Sequence, residues 1–460
     1  MTTRDHRLAD WNPEDVELWE RGNKAIARRN LFWSIVTSHV GFSIWSLWSV
    51  MVLFMPVSVY GFSTGDKLLI GAVASLVGAV TRMVYPMANA RYGCRNWAVV
   101  SSLALTIPTV GAIVLLAHPG WPLWPYLLCA ALTGLGAGNY SSSLANAEAF
   151  YPQRLKGFSM GLTGGIANLG SASIQAVGLL VMATTGHRAP YWVCAVYLVL
   201  LSIGAVGAAL YMNNLDYRIQ MSHYRDIVPL ADSWAIAYLY LCSFGSFLGF
   251  AFAFGQLLQH NFMGSGQSSA QASLHAAEIA FIGPLLGAVG RVFGGRWSDR
   301  FGGGTVTVSV LAAMIGAGGF LVAVSAHDDI TEKAGGGVTA MTMVGYVVGF
   351  IVLFTLSGMG SGSVFKLIPS VFDARSRGLK MDEAQRLDWI RVRSGALIGF
   401  AGSVGTLGGV GINLALRQSY ASTGSETPAF WIFLFCYVLG AVLTWMRYVA
   451  PSRKATQAQV

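Results

Sequence analysis

Long apolar runs separated by short polar connections organise this chain. Runs of about 20 apolar residues, each long enough to cross a ~30 Å hydrocarbon layer as a helix, recur near 31–55, 68–90, 97–117, 123–149, 157–182, 190–212, 231–260, 272–296, 304–325, 338–369, 392–415 and 428–448. The pattern predicts an all-α membrane protein with twelve transmembrane helices. The first 29 residues are polar and charged and show no cleavable leader; 10–29 reads as a short helix on the membrane surface. A polar stretch at 212–229 parts two groups of six runs. The predicted organisation is an N-terminal segment 1–30, a six-helix bundle 31–212, a linker 213–230, a second six-helix bundle 231–449 and a tail 450–460. The charged stretch 372–393, between the tenth and eleventh runs, is expected to be partly helical and solvated.

Composition agrees with that pattern. Only 11% of the 460 residues are charged, against roughly 25% in a soluble domain, and the mean hydropathy is +0.54. The 55 glycines suit helices that pack closely in lipid. A net charge of +9 raises the question of nucleic acid, but its distribution answers it. Of 30 Lys and Arg, the loops on one side hold Lys67, Arg188, Lys333 and Arg417, the spans hold Arg82, Arg291 and Lys366, and the rest fall on the other side. That asymmetry marks the basic side, with both termini, as cytoplasmic; the partner it implies is the lipid bilayer and not nucleic acid. Five cysteines (Cys94, Cys129, Cys194, Cys242, Cys436) have neither metal nor disulfide spacing. With no lysine-bearing phosphate loop and no nucleophile–base pair, neither an enzyme nor a cofactor is expected.

Arg82 and Arg291 share one local frame. Arg82 lies in GAVTRMVYPMANARYG and Arg291 in GAVGRVFGGRWSDRFG; in each a second arginine follows nine residues on (Arg91, Arg300) and a glycine eleven on (Gly93, Gly302). The repeat extends further. GLGAGN at 134–139 echoes GMGSGS at 358–363, and GLTGGIANLG at 161–170 echoes GSVGTLGGVG at 402–411, with Gly164, Gly165, Gly405, Gly408 and Gly409 as helix-packing positions. Two pseudo-symmetric six-helix bundles are the arrangement of many secondary transporters. With Arg91 and Arg300 at the membrane boundary, nine residues at ~1.5 Å rise put Arg82 and Arg291 ~13.5 Å deep, near midplane. Charges there are expensive and point to function. Acids are scarce nearby, since Glu148 falls near the cytoplasmic end of its run and Glu278 thirteen residues before Arg291, so the expected counter-charge is an anionic substrate. A guanidinium is planar and permanently charged and forks hydrogen bonds onto oxyanions, so two of them suit a small, flat, delocalised anion.

The loop G-R-W-S-D-R-F-G at 295–302 resembles the G-x-x-x-D-R-x-G signature of the major facilitator superfamily; its counterpart at 86–93 keeps the arginine and last glycine but lacks the acid. Over almost its whole length the chain resembles the NarK-type nitrate/nitrite porters of that superfamily. The resemblance is carried by DWNPED at 10–15, GNYSSSLANAEAFYP at 138–152, LYLCSFGSFLGF at 239–250, IGPLLGAVGRVFGG at 282–295 and GSGSVFKLIPSVF at 360–372. It implies that Arg82 and Arg291 clamp the anion, that Tyr140 and Phe244 sandwich it, and that Tyr240 and Asn168 hydrogen-bond it. Four positions depart from the family pattern: Thr163 stands for an asparagine, Ala167 for a glycine, Tyr140 for a phenylalanine, and Lys366 for a glutamine or arginine.

The expected function is transport of nitrate and nitrite across the cytoplasmic (inner) membrane by alternating access, as a monomer, in an exchange mode. The alternative is proton symport, for which His39, Glu148, Glu278 and Lys366 are the titratable candidates; Lys366 is also a candidate for attracting anions. A nitrate sensor on a carrier fold is a more distant alternative.

Overall fold

The computed structural model describes residues 6–8, 11–185, 189–215, 222–333 and 338–450. Arg188, the linker residues 216–221 and the tail 451–460 lie outside the described residues. Those described are almost entirely helical, and eleven helices among them are long and apolar enough to cross a membrane. Large apolar side chains stand outward, among them Val80, Ile107, Trp124 and Phe435, each at least 60% exposed, as a lipid solvent permits and water does not.

The helices are α1 Lys24–Trp45, α2 Thr64–Tyr92, α3 Cys94–Ala104, α4 Thr106–Ala117, α5 Leu123–Thr133, α6 Gly136–Phe150, α7 Gln153–Thr185, α8 Tyr191–Tyr211, α9 Ser222–Ile227, α10 Ala231–Gly264, α11 Ser269–Ala280, α12 Ile282–Phe301, α13 Gly303–Lys333, α14 Ala340–Ser376, α15 Glu383–Thr423 and α16 Thr427–Thr444. They form two compact units: Met1–Gly61 with Val73–Gln220, and Phe62–Ala72 with Met221–Val460. In the first, α1 packs on α6 and α7, and α8 on α1, α3 and α4. In the second, α10 packs on α14 and α15, α12 on α14, and α13 on α14 and α16.

Three features differ from the sequence-based expectation. The fourth apolar run, 123–149, is two helices, α5 and α6, as the third (α3 and α4) and the eighth (α11 and α12) also are. Gly134 N–H is shared between the Ala130 and Ala131 carbonyls, and the Gly134 carbonyl accepts from Thr81 Oγ1 of α2 at 3.2 Å. The polar residues of α6 serve helix crossing: Ser143 Oγ donates to the Ser34 carbonyl at 2.9 Å and Asn146 Nδ2 to Ser34 Oγ at 3.2 Å.

The expected surface helix at 10–29 is not separate either. Helix begins at Val16, passes a π turn at Trp19–Asn23 and continues into α1. Trp19 is 1% exposed and its ring lies edge-on to Tyr151, centroids 5.6 Å apart. Ahead of it, a two-residue strand β1, Arg7–Leu8, pairs in parallel with β2, Asn214–Leu215. An N-terminal segment that buries Leu8 and Trp19 against Cys94, Ala147 and Phe150 is held by packing.

The third difference lies in the stretch 372–393. It is partly helical, because α14 runs on to Ser376 and α15 starts at Glu383. Its charges are paired rather than only solvated. Arg375 Nε donates to Asp232 at 2.9 Å, Arg393 to Asp226 at 2.9 Å, and Arg377 to Asp373 at 2.9 Å.

The repeat seen in the sequence has a backbone reason at its last position. Gly93 closes α2 with φ +94° and Gly302 closes α12 with φ +83°. Only glycine takes such φ values without strain, so each sharp turn into the next helix needs one.

Candidate functional site

Each unit carries a buried arginine set on aromatic faces. In the first unit Arg82 sits on α2 ten residues before its last residue, Tyr92. It is 1% exposed. Its guanidinium carbon lies 4.5 Å from the Tyr140 ring centroid and 5.8 Å from that of Trp45. Three local devices hold this arrangement. Thr81 Oγ1, next to Arg82, is tied to the Gly134 carbonyl. Trp45 Nε1 donates to the Ala74 carbonyl of α2 at 3.0 Å. The α5–α6 turn then starts a new helix that presents Tyr140. Ring faces carry negative potential, so a desolvated guanidinium is stabilised against two of them.

On α7, Asn168 is 2% exposed and its Oδ1 has no hydrogen-bond partner among the described residues. The Tyr140 hydroxyl is likewise buried without one. A Cβ at Gly164 would stand 3.2 Å from that hydroxyl, whereas one at Gly165 would meet nothing within 4 Å. Thr163, where the family pattern has asparagine, turns its hydroxyl back to the Ser159 carbonyl at 2.8 Å, and Ala167 is fully buried.

In the second unit Arg291 sits on α12, also ten residues before the helix ends, at Phe301. It is 9% exposed. Its Nη2 donates to the Tyr240 hydroxyl at 3.3 Å. Its guanidinium lies 4.8 Å from the Phe365 centroid and 6.0 Å from that of Phe244. Tyr240 is the middle ring of a parallel stack: Phe365 lies 4.6 Å away at 12° and Phe244 5.0 Å away at 4°. The glycines of α15 let α10 come this close. A Cβ at Gly405 would collide with the Tyr240 ring, one at Gly408 would stand 2.6 Å from the Leu241 carbonyl, and one at Gly409 3.0 Å from Leu248. Four side chains, Arg291, Tyr240, Phe244 and Phe365, thus form one rigid cluster.

The titratable candidates lie apart from these clusters or are already engaged. His39 Nδ1 lies 2.8 Å from the Ile166 carbonyl; a carbonyl only accepts, so Nδ1 carries the proton and ties α1 to α7. Glu148 is half-buried, two residues from the end of α6, ~12 Å along that helix from Tyr140 at ~1.5 Å per residue. Glu278 is exposed, near the end of α11. That helix stops at Ala280, and Pro284 in the first turn of α12 cannot donate to the carbonyl four residues before it. Lys366 of α14 is ion-paired to Asp299, the acid of the 295–302 loop, with both side chains about half exposed.

Two members of the clusters were not read from the sequence. Phe365 stands beside Lys366 in GSGSVFKLIPSVF, where the lysine's charge is the one distinctive local feature. Trp45 lies in an aromatic-rich run where nothing in the spacing separates a site residue from packing.

Comparison with known proteins gives the family and the fold. The family description Major Facilitator Superfamily matches residues 34–409. The nitrate/nitrite transporter NarU of Salmonella typhimurium is 30% identical over 96% of this chain and 96% of its own length. NarU of Escherichia coli is also 30% identical, with the same coverage. The probable nitrate/nitrite antiporter NarK2 of Thermus thermophilus is 26% identical, again over 96% of both chains. Among solved structures, the nucleoside transporter NupG superposes with a TM-score of 0.59 at 14% identity, over 91% of this chain and 99% of its own. A D-xylose–proton symporter gives 0.62 at 12% identity, over 90% and 97%. At those identities the structural likeness speaks for the fold alone. Fold, spans, repeat and family match agree: this chain is a multi-pass membrane transporter belonging to the major facilitator superfamily.

Proposed function

We propose that the protein exchanges nitrate and nitrite across the cytoplasmic membrane by alternating access of two bundles, 31–212 and 231–449, joined by the linker 213–230, with one chain as the working unit. The observation that carries this reading is the pair of buried arginines at matching repeat positions, each set on ring faces, in a chain near 30% identical end to end to nitrate/nitrite transporters.

In this reading Arg82 and Arg291 jointly hold the anion, each forking hydrogen bonds to its oxygens. Tyr240 donates to it and Asn168 presents its amide. Tyr140 and Phe244 offer flat faces to a flat ion. With no guest aboard, closing the site brings two like charges together in a low-dielectric gap, which is costly. An anion between them removes that cost, so the carrier reorients loaded and not empty. Loaded-only reorientation is obligatory exchange. Nitrate and nitrite share charge and planarity, so one clamp serves both.

Proton coupling would need a titrating group tied to the site. The Lys366–Asp299 pair and the exposed Glu278 favour exchange over symport; His39 and Glu148 are the groups a symport would use. Liposomes carrying the purified protein test it. With nitrite inside and no pH gradient, nitrate uptake should be fast, and with an empty interior it should be slow. Uptake that requires a proton gradient and ignores internal nitrite would reject exchange.

A further inference from the structure

The Tyr140 hydroxyl belongs to a residue 2% exposed and has no hydrogen-bond partner among the described residues. Burying a hydroxyl without a partner is costly, so a fold that does so usually has a use for it. Its surroundings point to one. The oxygen lies 3.2 Å from where a Cβ would stand on Gly164 of α7, so it reaches the backbone of that helix only because the position lacks a side chain. One turn further on α7, on the same face, comes Asn168, 2% exposed, whose Nδ2 is a donor an oxyanion can use. Over the Tyr140 ring, 4.5 Å from its centroid, lies the Arg82 guanidinium. A cation, a phenol O–H and a carboxamide thus fall within one unit, and the hydroxyl of Thr163, next to Gly164, is spent on the Ser159 carbonyl.

We infer that the Tyr140 hydroxyl donates a hydrogen bond to one oxygen of the bound oxyanion and thereby favours nitrate over nitrite. This rests on the nitrate/nitrite reading and deepens it. Nitrate has an oxygen at each of three corners; nitrite has two oxygens and, at the third corner, a nitrogen lone pair. With Arg82 engaging two oxygens through its fork, a fixed O–H aimed at the third corner meets an oxygen in nitrate, whereas the nitrogen lone pair of nitrite is set back by one N–O bond length and lies out of its reach. A site built to hydrogen-bond a group discriminates against guests that lack it far more sharply than an apolar face does. The bond needs the anion at the hydroxyl edge of the Tyr140 ring, in its plane, rather than stacked on its face.

The test is Tyr140→Phe in the full-length transporter. Nitrate and nitrite affinities are read by titration of the purified protein and by the KM of exchange in liposomes. Loss of one hydrogen bond to a charged guest should weaken nitrate by about tenfold, nitrite by clearly less, and leave the melting temperature unchanged, because the hydroxyl bonds no protein group. Gly164→Ala crowds the hydroxyl and should weaken nitrate in the unsubstituted protein, yet add nothing once Tyr140 is phenylalanine. Unchanged nitrate affinity in Tyr140→Phe, or equal losses for the two anions, would overturn the inference while leaving the transport reading standing. Absence of nitrate binding by the unsubstituted protein would overturn both.

Discussion

Arg291 donates from Nη2 to the Tyr240 hydroxyl at 3.3 Å, and the Tyr240 ring is itself clamped between Phe244 and Phe365. The hydrogen bond fixes the rotation of the guanidinium, and the ring stack fixes the tyrosine. A hydroxyl that accepts from a cation has its own O–H polarised for donation, so the pair can present two donor groups to a guest, arranged before it arrives. Preorganised donors do not pay the ordering cost at the moment of binding.

Tyr240→Phe keeps the ring stack and removes both the acceptor for Arg291 and the donor for the guest. Hydrogen bonds to charged groups contribute roughly 1.5–3 kcal/mol, so nitrate affinity should fall at least tenfold, and the melting temperature should drop as well because the buried Arg291–Tyr240 bond is lost. Titration of the purified variant, alongside its melting temperature, checks both halves of that statement.

Phe365→Leu removes the ring face that lies 4.8 Å from the Arg291 guanidinium and one side of the Tyr240 stack. A buried cation–π contact is worth up to ~2 kcal/mol. The variant should bind nitrate several-fold more weakly, with a mobile Tyr240. Phe365→Tyr keeps a ring and should restore most of the loss. Failure of the tyrosine to rescue would assign Phe365 to packing alone.

Gly405→Ala and Gly165→Ala should behave oppositely. A methyl at Gly405 collides with the Tyr240 ring, whereas one at Gly165 meets open space. Overpacking a tight contact costs about 1–3 kcal/mol, so Gly405→Ala should lower both melting temperature and affinity. Gly165→Ala should leave stability unchanged or slightly raised, since alanine stiffens a helix. Thermal unfolding of the two variants in detergent separates them, and equal effects would contradict the packing described.

Trp19→Ala tests the N-terminal segment. Trp19 is buried against Tyr151, and truncating a buried aromatic costs about 3–5 kcal/mol. The variant should unfold at a clearly lower temperature while the detergent-solubilised remainder still binds nitrate at permissive temperature. A segment lying loosely on the membrane would give no such shift.

What could be read from the sequence, and what could not, follows from range. Apolar runs and the positions of Arg82 and Arg291 are local signals, and the repeated glycine at 93 and 302 records a backbone angle that only glycine tolerates. The α5–α6 break was hidden because its causes, the Thr81 hydroxyl on the Gly134 carbonyl and the crossing with α1, come from elsewhere in the chain. The continuation of helix from Val16 into α1 was hidden because polar residues there mask the burial of Trp19. Phe365 was hidden because one phenylalanine among 24 gains meaning only when an arginine 74 positions earlier, Arg291, is seen against its face. The neighbourhood of Lys366 was misleading for a similar reason: its partner Asp299 lies in a different motif.

The most direct test of the proposal that Arg82 and Arg291 both bind the anion is calorimetric titration of nitrate into the purified protein and into Arg82→Lys and Arg291→Lys. Lysine keeps the charge and loses the planar fork. The account predicts saturable nitrate binding by the unsubstituted protein and loss of most of that affinity in each variant, with melting temperatures showing all three folded. Nitrate binding of ordinary strength in either folded lysine variant would contradict it.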